Sequence, residues 1–231
     1  MPVGRGRTSD TEPGSPSAGA VAVVAGATGL VGRELVRQLA ADATWGEIRA
    51  LVRRPLPAQL MAPPAVVVEV DYAHLDSSAP WARADHVFCA LGTTMRRAGS
   101  RAAFRRVDYE YPLALAQAML ARGARQFLLV SSAGADPRSR MFYPRVKGEL
   151  ETAIGALGFR SVTIARPSLL LGPRAERRLA EEVGKVLGVF APAAWRPVPA
   201  ARVAGALVAA AKQDLPGVRV LENRAILATA F

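Results

Sequence analysis

The chain has 231 residues, of which 51% are hydrophobic, so it is long enough to bury the core of one domain. Its formal net charge is +11, and its single cysteine, Cys89, excludes an internal disulfide and suits a reducing cytosol. No stretch is long and apolar enough to predict a membrane span, and Asp10 and Glu12 lie where a signal peptide would begin. We therefore expect a cytoplasmic protein without a membrane partner.

The positive charge is distributed along the whole chain. Its 30 basic residues comprise 27 Arg and 3 Lys, and they lie among abundant Ala, Gly and Pro. The sequence contains no zinc knuckle, no basic run with interleaved aromatic residues and no cluster with the spacing of metal ligands. We interpret the charge as a source of solubility and of attraction for an anionic cofactor and substrate. We expect no metal site, and nucleic acid is the less favoured partner.

The chain begins with a polar segment and then becomes apolar. Residues 1–19 are rich in Gly, Pro, Ser and charged side chains, and we predict a disordered tail there. Residues 20–25 form a short apolar run that is typical of a buried parallel strand. Residues 30–41 repeat apolar side chains at helical spacing. The turn between them reads Gly-Ala-Thr-Gly-Leu-Val-Gly over residues 26–32.

The glycine spacing in this turn predicts a phosphate-binding site. Gly26 permits a tight turn, Gly29 lets backbone N–H groups approach a pyrophosphate, and Gly32 allows the helix to pack closely on its strand. The strand-turn-helix context favours this interpretation over an ordinary helix start in a Gly-rich protein. We predict that a dinucleotide is contacted by Gly26, Thr28, Gly29, Leu30, Val31 and Gly32.

The second predicted strand, residues 48–53, distinguishes between two cofactors. In dinucleotide-binding folds an acidic residue about 20 positions beyond the glycines selects NAD, whereas an arginine accommodates the extra phosphate of NADP. Here the strand ends in Arg53 and Arg54 and carries no carboxylate at its tip. Guanidinium groups are planar, multi-donor and permanently charged, which suits a phosphate. We predict NADP(H) in preference to NAD(H); the alternative is a solvated basic turn before Pro55.

The next strands carry polar residues at their ends. We predict strands at 66–70, 86–91, 126–131 and 161–165. Ser131 and Ser132 end an apolar run, and open parallel sheets bind ligands at the carboxyl ends of their strands. A pair of hydroxyl groups at a strand end is also common in ordinary turns, so a role for these serines depends on catalytic partners further along the chain.

Tyr143 and Lys147 lie four residues apart, which is about one turn of a helix. A helix is predicted near 145–157, and the phenol and the ammonium would share one of its faces. A nearby cation favours the phenolate form, so the pair suits general acid–base chemistry. Pro144 biases the residue before it away from helical dihedral angles, and we expect Tyr143 at the N-cap edge of this helix.

Together the glycine loop and the Tyr-x-x-x-Lys pair resemble the short-chain dehydrogenase/reductase superfamily in its extended or atypical branch. The resemblance is closest to the Tat-interacting-protein type of oxidoreductase and covers about residues 20–228. The segments that carry it are 26–32, 51–54, 89–94, 131–136, 146–149, 166–167 and 221–226.

Alternating strands and helices predict an α/β fold with a doubly wound parallel sheet of the Rossmann type. Residues 20–165 would form the dinucleotide-binding core, with a further helix near 101–121. In this fold class C-terminal additions usually form a substrate cap, and we assign residues 166–231 to a small cap segment that completes the same domain. Helices are predicted there near 175–190 and 200–213.

The resemblance also implies roles for residues outside the glycine loop. Asp71 follows the third strand and would face the adenine, although an ordinary turn residue is nearly as good an interpretation. Leu91 and Gly92 follow the fourth strand and would line the cofactor. Asp108 lies near the place where many members of the superfamily have an asparagine that serves a proton relay.

By the same resemblance, Tyr143 would be the general acid/base and Lys147 would hold the nicotinamide ribose. Ser132 would orient the carbonyl oxygen, with Ser131 as the alternative. These roles predict an NADP(H)-dependent oxidoreductase that transfers hydride between nicotinamide and a small-molecule carbonyl or alcohol substrate. Two alternatives remain open: a dinucleotide-binding regulatory or interaction protein with little turnover, and a related epimerase or dehydratase. A homodimer is also left open.

Overall fold

The computed structural model describes residues 19–55, 63–171 and 196–229, and these form an α/β domain around one large parallel sheet. The strands are β1 (Ala20–Ala25), β2 (Trp45–Val52), β3 (Ala65–Glu69), β4 (His86–Cys89), β5 (Gln126–Val130), β6 (Ser161–Arg166), β7 (Leu170–Leu171), β8 (Val198–Pro199) and β9 (Gly217–Glu222). Seven of them pair in the order β3-β2-β1-β4-β5-β6-β9, and every pairing is parallel. This sheet confirms the predicted doubly wound fold.

Most of the helices lie between successive strands in the chain. They are α1 (Leu30–Ala40), α2 (Met95–Ala98), α3 (Arg101–Arg105), α4 (Tyr111–Ala121), α5 (Phe142–Gly155), α6 (Ala200–Gln213) and α7 (Asn223–Ala228). A turn of π-helix, Arg106–Glu110, joins α3 to α4, so the single helix predicted near 101–121 is divided. The helix predicted near 175–190 lies outside the described residues. In the part of the chain that the structure describes, no helix has the length and apolar character to cross a membrane.

The core has two layers because the central strands are buried on both faces. On one face, Leu35 and Leu39 of α1 pack with Val203 and Leu207 of α6. On the other face lies a second apolar layer from α4 and α5, formed by Leu115, Met119, Leu150 and Ile154. Burial on both faces explains why these strands are continuous apolar runs in the sequence.

The C-terminal segment contributes to the main sheet. The edge strand β9 pairs in parallel with β6, from Ser161 opposite Gly217 to Arg166 opposite Glu222. Helix α6 crosses α1, and the side-chain amide of Gln38 donates to the carbonyl of Ala201 at 3.0 Å. The described residues beyond 196 therefore build part of the domain core and its sheet. The carboxyl ends of β1, β2, β4 and β5 all lie along one edge of that sheet, where the predicted site residues gather.

Candidate active site

The turn between β1 and α1 has the geometry of a phosphate-binding loop. Gly26 has a φ of +79°, and a Cβ placed on it would lie 2.5 Å from the carbonyl oxygen of Ala90. A Cβ on Gly32 would lie 2.1 Å from the carbonyl oxygen of Gly26. No side chain caps the N-terminus of α1, and its first turn contains no acidic residue. The free N–H groups and the helix dipole at this end are suited to an anion.

A cavity of about 390 Å³ lies beside this turn, at the carboxyl edge of the sheet. Its walls come from the ends of β1, β2 and β4 and from the segment between α2 and α4. The volume falls in the usual range for small-molecule and cofactor sites. The cavity wall includes six of the residues predicted to bind the cofactor, which are Gly26, Thr28, Gly29, Arg53, Leu91 and Gly92.

Two tyrosines that the sequence analysis did not single out also line this cavity. The rings of Tyr72 and Tyr111 are stacked, with centroids 5.9 Å apart and an interplanar angle of 26°. The hydroxyl of Tyr72 donates to the carbonyl of Leu51 at 3.4 Å, and burial raises the pKa of Tyr72 above its ordinary value. Tyr72 therefore stays neutral. Its position directly after the third strand is the only sequence signal that could have found it.

Asp71 and Arg54 do not line this cavity in the structure. The carboxylate of Asp71 accepts from the backbone N–H of Ala73 and contacts Nδ1 of His74, both at 2.9 Å. The His74 contact and the Ala73 hydrogen bond lower the pKa of Asp71, which is exposed. Asp71 thus has a role in its own turn, and its neighbour Tyr72 lines the cavity wall. Arg54 is exposed beyond the end of β2.

The start of α5 places Tyr143 inside the helix. The N-cap is Met141 and the helix begins at Phe142, so the expectation of Tyr143 at the N-cap edge is corrected: it is the second residue of the first turn. Pro144 is tolerated because the N–H groups of the first turn have no partner within the helix. Tyr143 is 37% exposed, and its ring packs against that of Phe104, with the two ring centroids 5.4 Å apart.

Lys147 is buried and forms an ion pair. Its Nζ lies 2.7 Å from Oδ1 of Asp108, and the two residues are 4% and 0% exposed. The other carboxylate oxygen of Asp108 accepts from the backbone N–H of Thr93 at 2.8 Å. Burial is the largest single influence and lowers the pKa of Lys147, but the charge of Asp108, its hydrogen bond to Lys147 and the nearby Tyr143 and Cys89 together outweigh burial and raise it. The side chain is therefore a permanent ammonium group.

This ammonium lies behind Gly92, a residue of the cavity wall. A Cβ placed on Gly92, which lines the cavity, would lie 3.8 Å from Nζ of Lys147 and 3.4 Å from Oδ1 of Asp108. Asp108 reaches this position from the π-helical turn, a feature that is often found at functional sites. The resemblance to the superfamily pointed to Asp108, but nothing in the local sequence pattern indicates its contact with Lys147.

The two serines at the end of β5 have different environments. Ser131 is buried, and its hydroxyl donates to Oε1 of Glu151 at 2.5 Å. Ser132 is half-buried, and among the described residues the only hydrogen bond of its hydroxyl is a long one of 3.5 Å to the carbonyl of Ala133. The hydroxyl of Ser132 is therefore available to a ligand, whereas that of Ser131 is not.

Glu151 is the centre of a buried polar network that the sequence analysis missed. It lies on α5 one turn beyond Lys147, so Tyr143, Lys147 and Glu151 follow one another at spacings of four residues. Arg166 donates to both carboxylate oxygens of Glu151, at distances from 2.5 to 3.2 Å, and to Glu222 at 2.9 Å. The network ties α5 to the ends of β5, β6 and β9.

A family model described as NAD(P)H-binding matches residues 26–214 of the chain. The matched range begins at the glycine turn and includes the cavity wall, the Tyr143/Lys147 pair and both serines. The chain belongs to this NAD(P)H-binding family. The finding confirms the predicted resemblance and the prediction of a chain that binds a nicotinamide dinucleotide.

Similar proteins extend over most of the chain. It is 35% identical to protein HTATIP2 from Rattus norvegicus over 88% of its own length and 86% of that protein. It is 34% identical to protein FMP52, mitochondrial, from Coccidioides immitis over 73% of each chain. Among solved structures, MoeE5 in complex with UDP-glucose and NAD has a TM-score of 0.67 at 21% identity, over 88% of this chain and 75% of that one. The structural match supports the fold.

The comparisons correct the expected location. The FMP52 relatives from Coccidioides immitis, Candida glabrata and Saccharomyces cerevisiae are all named as mitochondrial proteins. These relatives contradict the expectation of a cytoplasmic protein. It had relied on composition and a single cysteine, which indicate a reducing environment and cannot tell one such compartment from another.

Proposed function

We propose that this member of the NAD(P)H-binding family is an NADP(H)-dependent oxidoreductase of the short-chain dehydrogenase/reductase type. It would interconvert a carbonyl and an alcohol, with Tyr143, Lys147 and Ser132 as its catalytic residues. The observation that carries this proposal is the position of Lys147: its buried ammonium lies against Gly92 at the cofactor cavity and one helical turn from Tyr143.

The proposed chemistry divides among these three side chains. When bound, NADP(H) supplies or accepts the hydride. Tyr143 donates its phenolic proton to the carbonyl oxygen during reduction and removes a proton from the alcohol during oxidation. Ser132 donates a hydrogen bond to the same oxygen and stabilises the negative charge that develops on it. Lys147 stabilises the phenolate of Tyr143 by its charge and binds the nicotinamide ribose.

The preference for NADP(H) rests on the end of β2. Arg53 lines the cavity, whereas no Asp or Glu is found among the described residues of its wall. A carboxylate at this position would repel the additional phosphate of NADP, and a guanidinium attracts it. Arg53 is the residue that we expect to select NADP(H); Arg54, which the sequence placed beside it, lies away from the wall.

A dinucleotide-binding protein with little turnover is the second candidate. It is favoured by the ion pair between Lys147 and Asp108, whose Nζ and Oδ1 are 2.7 Å apart. If this pair persists with cofactor bound, the ammonium is partly neutralised and supports Tyr143 less strongly. The same residues would then serve to sense the cofactor without using it.

Cofactor binding and turnover together test the proposal. We expect the NADPH fluorescence to change on mixing with the protein, and the NADPH absorbance to fall when members of a carbonyl panel are added. Tyr143→Phe should retain cofactor binding and lose turnover by roughly 10²-fold or more, because it removes the acid/base group. Tyr109→Phe is the matched control, since Tyr109 lies on the π-helical turn against Arg105.

The outcomes separate the alternatives. NADPH binding without consumption of any carbonyl would favour the sensing protein. Conversion of a substrate with no net change in the cofactor would favour an epimerase or dehydratase. Turnover that is unaffected by Tyr143→Phe would contradict the assigned mechanism.

A further inference from the structure

The short helix α2 provides part of the wall of the cofactor cavity. The hydroxyl of Thr94 caps this helix by accepting from the backbone N–H of Arg97 at 3.2 Å, and Gly99, with a φ of +75°, ends it. Arg97 and Ala98 line the cavity from this side, together with Val107 and Tyr111. The cap and the glycine stop thus fix the place at which Arg97 enters the wall.

Two arginines therefore line one cavity, and they come from different elements of the chain. Arg53 contributes from the end of β2 and Arg97 from α2. Within the described ranges neither has an Asp or Glu at ion-pair distance, and the described wall contains no acidic residue. Like charges at a shared cavity repel each other, so this arrangement is suited to an anion that lies between them.

The pyrophosphate of a dinucleotide already has a binding site at the glycine turn and the N-terminus of α1. The uncapped N-terminus of α1 and the backbone of the glycine turn present N–H groups to it. The arginines belong to other elements of the same wall, the end of β2 and helix α2. A second anionic group, attached to the adenosine half of the cofactor, accounts for them.

We propose that Arg97 is a second specificity-determining residue, which binds the 2′-phosphate of NADP(H) from α2 while Arg53 binds it from β2. This inference rests on the proposed use of NADP(H). A phosphate held by two guanidinium groups gains several charge-assisted hydrogen bonds that NAD(H) does not form. Arg97 therefore contributes to the choice between the two cofactors, and Arg53 does not determine it alone.

Arg96 provides a matched control. It is the preceding residue of the same helix, carries the same charge and is exposed, but it does not line the cavity. Removing it changes the net charge by the same amount as removing Arg97. A change in cofactor affinity that comes from the overall positive charge is therefore the same in both variants. A change that comes from a direct contact with the cofactor appears only when Arg97 is replaced.

The test is a comparison of dissociation constants for NADPH and NADH, measured by fluorescence on the full chain. We expect Arg97→Ala to weaken NADPH binding by roughly 10-fold or more, because a charge-assisted contact is lost. NADH binding should change by less than about twofold, and Arg96→Ala should change either constant by less than about twofold. The melting temperatures of both variants should match that of the unmodified protein.

Several results would overturn the inference. Equal weakening of NADPH and NADH by Arg97→Ala would place the side chain on a shared part of the cofactor. No effect of Arg97→Ala, with weaker NADPH binding in Arg53→Ala, would leave the proposed function standing with Arg53 alone. An equal effect of Arg96→Ala would assign the change to overall charge. If the unmodified protein binds no NADP(H), the proposed function fails as well.

Discussion

At the scale of single residues, the two serines that follow β5 should respond to substitution in opposite ways. Ser132→Ala removes a hydroxyl that is available to the substrate, and we expect turnover to fall by roughly 10²-fold with little change in stability. Ser131→Ala removes the donor to the buried carboxylate of Glu151, and we expect the free energy of unfolding to fall by about 1–3 kcal/mol. Steady-state kinetics and urea unfolding of both variants provide the measurement.

Each of these two variants is the control for the other, because the residues are adjacent and both substitutions replace serine with alanine. Loss of turnover in Ser131→Ala alone, with Ser132→Ala fully active, would reverse the assignment of the carbonyl-binding hydroxyl. Equal loss of stability in both variants would show that neither hydroxyl is reserved for a ligand.

His86 should make the stability of the protein depend on pH. Trp45 donates its indole N–H to Nδ1 of His86 at 3.2 Å, which requires the neutral ring with its proton on Nε2. Burial lowers the pKa of His86 below its ordinary value of 6.5; nearby Asp85 and Asp214 oppose this effect, while Arg125 adds to it. The unfolded chain therefore binds a proton at a higher pH than the folded protein does.

The sign of the effect follows from this difference. The stability due to neutral His86 is fully present above about pH 6.5 and is lost as the pH falls towards the lower pKa of the folded state. We expect the melting temperature to decline as the pH falls below about 6.5, and His86→Gln to flatten that decline. His74→Gln replaces the only other histidine and serves as the control. An unchanged slope in His86→Gln would contradict this account.

At the scale of elements, the position of α5 depends on a close approach at Gly148. A Cβ on Gly148 would lie 2.2 Å from the backbone nitrogen of Pro137 and 2.3 Å from the carbonyl carbon of Asp136. Gly148→Ala therefore has to displace the helix that carries Tyr143 and Lys147. We expect a loss of about 1–3 kcal/mol of stability from overpacking, together with loss of turnover.

Gly155→Ala on the same helix is the matched control for this prediction. A Cβ there would meet only the side chain of Val218 at 3.7 Å, which is an ordinary contact. We expect this variant to be neutral or stabilised by up to about 1 kcal/mol, since alanine favours a helix more than glycine does. Urea unfolding of both variants measures the difference. Equal stabilities would show that α5 can shift without cost.

The elements were predictable where sequence pattern and burial agree. Strands β1, β2, β4, β5 and β6 lie inside the sheet and are largely apolar because they are covered on both faces, and each was found within a few residues of its predicted ends. The π-helical turn was not predicted. The extra residue in this turn has no sequence signal, because Arg106–Glu110 contains neither Pro nor Gly. The edge strand β9 was also missed: Val218 and Val220 are 52% and 42% exposed, so its composition does not reflect a buried face.

The part of the site that depends on local sequence patterns was predictable, and the part that depends on contacts between distant residues was not. The glycine turn, Arg53 and the Tyr143/Lys147 spacing are local patterns, and the sequence displays them directly. The ion pair of Lys147 with Asp108 and the bond of Ser131 with Glu151 join residues far apart in the chain. Such contacts depend on the order of strands in the sheet, and no local pattern reports them.

At the scale of the whole molecule, charge and topology act together at one edge of the sheet. Many arginines are neutralised by neighbours, as Arg49 is by Glu47 and Arg105 by Glu149. The arginines at the cofactor cavity have no such carboxylate among the described residues, so the positive potential that remains there attracts an anionic cofactor. Part of the net charge of +11 thus helps to attract the cofactor to the carboxyl ends of the strands.

The central claim is that hydride passes between NADP(H) and a carbon atom of a carbonyl or alcohol substrate at this edge. The most direct test uses NADPH that carries deuterium on each face of the nicotinamide C4 in turn, with a reactive member of the carbonyl panel. We expect deuterium from one face to appear on the carbinol carbon of the product. Absence of deuterium from every product, with NADPH bound and unchanged, would contradict the claim.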